Sequence, residues 1–177
     1  MVLALRSLIP PPTMVLILMS PAKTLNWATP PPSLSSHWTQ PPLLSEADPV
    51  AQVLRAKKQG ELKKLMSVSD TIAALNYERF QSFLPSDQAV TSTDEDRVRP
   101  AALAFDGPAF RGLDAASFST EDWAFAGNSL RLLCGLYGVL RATDLIQPYR
   151  LEMSTRGISV SYHSIHSHLL NLHPPNP

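Results

Sequence analysis

The sequence predicts one domain that mixes β-strands with amphipathic helices, and three observations carry that expectation. Its 177 residues suffice for one domain of ordinary size. Two apolar runs, Met14–Met19 and Ala101–Phe105, have the length and composition of short strands. Elsewhere, in stretches 50–54, 62–66, 72–83 and 123–133, apolar residues recur at helical spacing.

Residues 1–13 read as an N-terminal extension. The apolar start is cut by Pro10-Pro11-Pro12, and its longest uninterrupted run, Met14–Met19, is far below the ~20 residues of a membrane span. It also lacks the basic start of a secretory signal, so the expected location is the cytoplasm. The run itself, partly β-branched and ended by Ser20-Pro21, reads as a central strand buried on both faces. Prolines at 30–32 and 41–42 make residues 26–45 an extended loop. Asp48-Pro49 suggests an N-cap followed by proline at the first helical position, with Val50, Val53 and Leu54 at helical spacing and Gly60 as the stop. Leu62, Leu65 and Met66 share the next helical face, and Ser67 with Asp70 resembles a capping box. Ile72, Leu75, Phe80 and Phe83 line a helix ending near Leu84-Pro85, and Asp94-Glu95-Asp96 falls in a polar loop.

From Pro100 the signals sharpen. After the 101–105 strand, Asp106-Gly107 marks a turn, and Ser119 with Asp122 forms a capping box ahead of Trp123, Phe125 and Ala126. Gly135 and Gly138 then punctuate two stretches read as helical, 128–134 and 139–146. After Met153 no apolar period persists, so residues 154–177, rich in Ser and His, read as a disordered tail.

Composition excludes some function classes. Fifteen Lys plus Arg balance fifteen Asp plus Glu, which rules out a uniformly basic nucleic-acid protein but leaves room for a local basic cleft. The single cysteine, Cys134, excludes an intrachain disulfide framework and a cysteine-only metal site.

The candidate sites are few. Gly135-Leu-Tyr-Gly138, flanked by Arg131, Arg141 and Arg150, suits a phosphate contact, because paired glycines let backbone N–H groups approach an anion. The plainer reading is a tight turn that merely permits packing. Ser20-Pro-Ala-Lys23 spells the S-x-x-K of acyl-transfer enzymes, but the companion Ser-Asp-Asn and Lys-Thr-Gly elements are missing. A strand exit that presents Lys23 to an anion, or simply to water, fits better. Arg55, Lys57, Lys58, Lys63 and Lys64 against Glu61 form a basic run whose plain reading is a solvated helix face. His163, His166 and His168 lie in the tail without supporting residues, and Cys134 reads as a small packed side chain rather than a peroxide sensor.

Three stretches together resemble the YaaA family of peroxide-stress-resistance proteins. They are Leu18-Met-Ser-Pro-Ala-Lys-Thr-Leu25; Leu65-Met66 with Ser69-Asp70, Leu75-Asn76 and Arg79-Phe80; and Leu130-Arg-Leu-Leu-Cys-Gly-Leu-Tyr-Gly-Val-Leu-Arg141 continuing through Asp144-Leu-Ile-Gln-Pro-Tyr-Arg-Leu-Glu-Met153. The resemblance covers residues 14–153. It implies a mixed α/β (α+β) single domain truncated at its C-terminal end, with a helix-hairpin-helix-like element and residues 154–177 unrelated to it. The family chain runs roughly a hundred residues further, so part of the cover for the apolar strands is expected to be missing. The resemblance further implies a cytoplasmic, non-enzymatic role in hydroperoxide resistance that limits free intracellular iron and binds double-stranded DNA, with no cofactor. Lys23, Arg131, Gly135, Gly138, Arg141 and Arg150 are then the DNA- or phosphate-binding candidates. The competing readings are an enzyme acting on a phosphorylated or nucleotide-like ligand, with Lys23, Arg141 and Arg150 as clamps, and an inactive fragment.

Overall fold

A computed structural model of the chain describes residues 15–28, 38–89, 96–155 and 158. The expected extension 1–13, the acidic residues Asp94 and Glu95, and the tail histidines all lie outside the described residues. A three-stranded sheet, two short strand pairs and a group of helices share one apolar core, so the mixed α/β expectation holds.

In the larger sheet, β1 (Ile17–Met19) runs parallel to β5 (Leu130–Cys134), which pairs antiparallel with β6 (Gly138–Arg141). The expectation of a central, doubly covered β1 is therefore corrected. This strand lies at the edge of the sheet, with Ile17 41% and Leu18 51% exposed. Among the described residues no strand pairs with its outer edge, and of its three side chains only Met19 packs against the core.

The glycine-flanked segment is also corrected. Residues 130–141 form a β-hairpin, not two helices, and no helix-hairpin-helix forms around the glycine pair. Pairing decides it: Arg131, Leu132, Leu133 and Cys134 pair with Arg141, Leu140, Val139 and Gly138 across the hairpin, and both strands are almost wholly buried. Gly138 closes the turn with φ 70°, a left-handed conformation that glycine adopts without strain.

Three helices cover the core: α1 (Leu44–Arg55), α2 (Gln59–Met66) and α3 (Asp70–Gln81). In α1, Leu44, Ala47, Ala51 and Leu54 recur at three- and four-residue spacing and are buried. Pro49 lies inside α1, which starts five residues before it, and Asp48 is no cap. The Asp48 carboxylate instead accepts hydrogen bonds from the Ser86 N–H and hydroxyl, at 3.0 and 2.6 Å, holding the short helix α4 (Ser86–Ala89). Gly60 is part of α2 rather than a stop. The cap of α3 is Ser69, whose hydroxyl accepts from the Ile72 N–H, while Ser67 ends α2 in the left-handed conformation. Within α3, Phe80 is buried as expected, but Leu75 faces outward and Ala73 and Asn76 take its place.

The second half of the chain is built from short pieces. β3 (Arg99–Pro100) pairs with β7 (Leu145–Ile146), and β4 (Phe105–Asp106) pairs with β2 (Thr24–Leu25). Between β3 and β4, Ala101–Ala104 is a single helical turn, α5, where a strand was expected: its N–H groups at 101 and 102 bond to the Asp144 and Ala142 carbonyls. Pro108 opens α6 (Pro108–Leu113) at the position where a missing N–H costs nothing. The Ser119–Asp122 capping box starts α7 (Thr120–Ser129) as read from the sequence. Trp123 and Ala126 face the core, whereas Phe125 is exposed. Among the described residues no helix is long and apolar enough to cross a membrane.

Candidate functional site

The candidate site is a cleft of about 300 Å³ between the β1–β2 loop and the segment that follows Tyr149. Each wall is fixed from below. On one side, Thr24 and Leu25 pair with Asp106 and Phe105, the Asn26 N–H donates to the Ala104 carbonyl at 2.8 Å, and an Arg99 Nη1 donates to the Asn26 carbonyl at 2.6 Å. These bonds place Ser20, Pro21, Ala22 and Lys23 along the rim.

On the other side, residues 149–154 lie over the hairpin turn. Tyr149 packs edge-on against Tyr137, with ring centroids 5.4 Å apart, and both rings are buried. Burial pushes both phenol pKa values up, so both rings stay neutral. The Tyr137 hydroxyl accepts a hydrogen bond from the Gln147 N–H at 3.0 Å. Gly135 lets the segment pass: a Cβ there would stand 2.8 Å from the Leu151 carbonyl oxygen and 3.0 Å from the Glu152 carbonyl carbon.

Two cations converge in the cleft. Lys23 Nζ lies 3.1 Å and Arg150 Nη2 3.2 Å from the same oxygen, Glu152 Oε1. Lys23 is largely exposed, whereas Arg150 is mostly covered. Phe105, Leu151 and Tyr149 supply an apolar floor, and Met153 and Pro21 an apolar edge. The arrangement can hold an anion against a flat apolar surface. Ser20 shares the rim, and the ion-pair partner of Lys23 Nζ is Glu152 Oε1, 3.1 Å away.

The structure thus brings Lys23, Arg150 and Gly135 together and sets the other predicted residues apart. Leu136 and Tyr137 are completely buried, and both glycines of the turn are covered, so the turn offers no open backbone cradle. Gly135 acts on the cleft through the chain segment packed on it. Arg131 and Arg141 face each other at the opposite end of the hairpin, about 10 Å along the strands from Cys134 and Gly138. Arg131 is buried, and its Nη1 donates to the Gly127 and Leu130 carbonyls at 2.9 Å. Arg141 is half-buried, and its backbone N–H donates to Asp144 Oδ2 at 2.7 Å.

Asp144 is a residue that the sequence reading missed. It is completely buried, accepts from the Thr39 hydroxyl at 2.6 Å, and ties residues 38–40 to the hairpin. Burial pushes its carboxyl up to about 6 against the pull of Thr39 and Arg141. Glu152 was missed as well, although it stands in one of the stretches that carry the family resemblance. In the basic run, Lys63 is paired with Asp70 at 2.7 Å and Arg55 donates to the Gln81 carbonyl. Cys134 is buried, and burial pushes its thiol pKa up. Among the described residues, no group of three His, Cys, Asp or Glu side chains is placed to hold a metal ion.

Comparison with known proteins agrees with these motifs. The family model described as peroxide stress protein YaaA matches residues 15–166, continuing past Met153 into the stretch read as unrelated. A UPF0246 protein of Saccharophagus degradans is 45% identical over 142 residues, which is 80% of this chain and 52% of its own length. A UPF0246 protein of Hahella chejuensis is 46% identical over 143 residues, with the same shares covered. One of Aromatoleum aromaticum is 44% identical over 146 residues, covering 51% of its length. The chain spans about half the length of the curated relatives it matches.

Proposed function

The chain belongs to the peroxide stress protein YaaA family, and on that premise we propose that it serves hydroperoxide resistance in the cytoplasm by binding the phosphates of double-stranded DNA. The same role is proposed to be associated with a low level of free intracellular iron. The observation that supports the binding mode is the convergence of Lys23 and Arg150 on one carboxylate oxygen, 3.1 and 3.2 Å away. Two cations that can share one oxygen of a carboxylate can share one oxygen of a phosphate, with Arg150 supplying a planar donor set and Lys23 a mobile point charge. Such contacts position a duplex without reading its bases. Arg141, half-buried at the far end of the hairpin, is assigned a weaker second contact, and Arg131 holds the hairpin base.

The test is fluorescence anisotropy with two labelled duplexes of unrelated sequence. Binding to both with similar affinity, weakened equally by Lys23→Ala, is expected. Absence of binding at low salt, or a loss confined to one sequence, would refute phosphate-directed recognition.

A further inference from the structure

We propose that the Lys23–Arg150 cleft receives one nucleoside monophosphate unit, and that Glu152 is an internal stand-in for its phosphate which the ligand displaces. The inference rests on the phosphate-binding reading of the same cleft and adds what sits beside the phosphate and what competes with it.

Three features carry it. First, the anion place is already filled by a group of this chain. Glu152 Oε1 accepts from both Lys23 and Arg150, yet Glu152 is only two residues from Arg150 and about a third exposed. The Lys23 arm of this contact is largely exposed, and exposed ion pairs contribute little, so it is the arm that a ligand exchanges most readily. A phosphate dianion offers more acceptor oxygens than one carboxylate and favours the same two cations.

Second, apart from the hydroxyls of Ser20 and Ser154 the rest of the cleft is mainly apolar. Phe105, Tyr149 and Leu151 form its floor, with Pro21, Ala22 and Met153 at the edges. A ligand that fills the cleft therefore carries an apolar group beside its anion. Small-molecule sites combine an apolar lining with a few convergent polar groups in this way.

Third, size limits the occupant. A volume of about 300 Å³ stands at the lower end of the range for ligand sites, roughly 300–1,000 Å³. That volume matches one base with its sugar and phosphate more closely than a dinucleotide. The unit has two possible sources, a free nucleotide or a nucleotide unstacked from a nucleic acid strand.

The experiment uses calorimetric titration of the purified chain with adenosine 5′-monophosphate, adenosine and inorganic phosphate. The monophosphate is expected to bind more tightly than either half. Lys23→Ala and Arg150→Ala should weaken the monophosphate while leaving adenosine unchanged. Glu152→Gln keeps the shape but removes the competing charge, and should tighten the monophosphate about two- to fivefold. Circular dichroism and melting of each variant establish that the fold is retained before its affinity is read. A second arm compares a duplex with one unpaired adenosine against the same duplex fully paired. Stronger displacement of the monophosphate by the unpaired form than by the paired one assigns the unit to a nucleotide unstacked from a nucleic acid strand. Equal displacement by the two, through the shared Lys23 and Arg150, assigns it to the free nucleotide, and either result upholds the chemistry. Monophosphate binding with no binding of either duplex also assigns it to the free nucleotide and refutes the DNA reading alone. Monophosphate binding no tighter than phosphate, or unchanged or weakened in Glu152→Gln, overturns the proposal. A paired duplex that binds but that the monophosphate cannot displace would leave the DNA reading standing and refute this one.

Discussion

Gly135→Ala tests whether the hairpin turn builds the cleft. The added Cβ would stand 2.8 Å from the Leu151 carbonyl oxygen, 3.0 Å from the Glu152 carbonyl carbon and 3.1 Å from its oxygen. All three are backbone atoms, so no side chain can swing aside. Relaxing to an ordinary contact of roughly 3.5 Å moves the 151–152 segment by about 0.7 Å, and overpacking of this kind costs about 1–3 kcal/mol. For a chain of this size that lowers the melting temperature by roughly 2–12 °C. The same shift carries Arg150 and Glu152 away from Lys23, so affinity for a phosphate ligand should fall as well. Gly60→Ala is the control: it lies in α2 with no heavy atom within 4 Å of the added Cβ, and helix propensity favours alanine by up to about 1 kcal/mol. Thermal melting and phosphate-ligand titration of both variants make the comparison. A Gly135→Ala protein as stable as the parent, with unchanged affinity, would show that the turn does not support the cleft.

Other perturbations have equally definite outcomes. The folded state keeps the Asp144 proton up to about pH 6, whereas an unfolded chain releases it near pH 4. Asp144 therefore makes the protein less stable as pH rises from about 4 to 6, by about 3 kcal/mol in all. Asp122 works the other way: bonds from the Ser119 N–H and hydroxyl depress its pKa, so its contribution is present above about pH 4 and lost as pH falls through its folded value. Denaturant unfolding at pH 4 to 7 should show Asp144→Asn gaining on the parent as pH rises, and a pH-independent difference would contradict the burial argument. Leu18→Lys should reduce binding of a hydrophobic dye with little change in melting, because Leu18 is half exposed on the sheet edge; an unchanged dye signal would place the bare surface elsewhere. Cys134, buried with a raised pKa, should react with a thiol reagent only after denaturation. An acyl-phosphonate probe should leave Ser20 unlabelled, since the Ser-Asp-Asn and Lys-Thr-Gly elements that acyl transfer needs are missing; stoichiometric labelling would restore the acyl-transfer reading.

What the sequence disclosed depended on how local the determinant was. The start of α7 is written in Ser119 and Asp122, three residues apart, and it folds as read. The hairpin at 130–141 is not local in this sense. Its strand Leu130–Cys134 is set by pairing with Ile17–Met19, more than a hundred residues earlier, and a short leucine-rich run carries no period that separates strand from helix. Pro49 shows the same limit: its preference for the first turn is overridden because Leu44 and Ala47, upstream of it, are buried on the core side of α1. The site divides similarly. Lys23 and Arg150 were visible as cations within distinctive motifs, but their meeting is a product of the β2–β4 pairing and of the segment laid over Gly135. Glu152 went unnoticed because a lone carboxylate has no signature until two cations are seen to share it. Asp144 needed its burial to be known.

The central claim, that Lys23 and Arg150 form a phosphate clamp for DNA, is tested most directly by the salt dependence of duplex binding. Each neutralised phosphate contributes about 0.9 to the slope of log affinity against log salt. The parent chain is expected to lose affinity steeply with salt on any duplex, and the Lys23→Ala/Arg150→Ala double variant to show a slope smaller by about 1–2. A double variant that retains both the parent's affinity and its slope would contradict the claim.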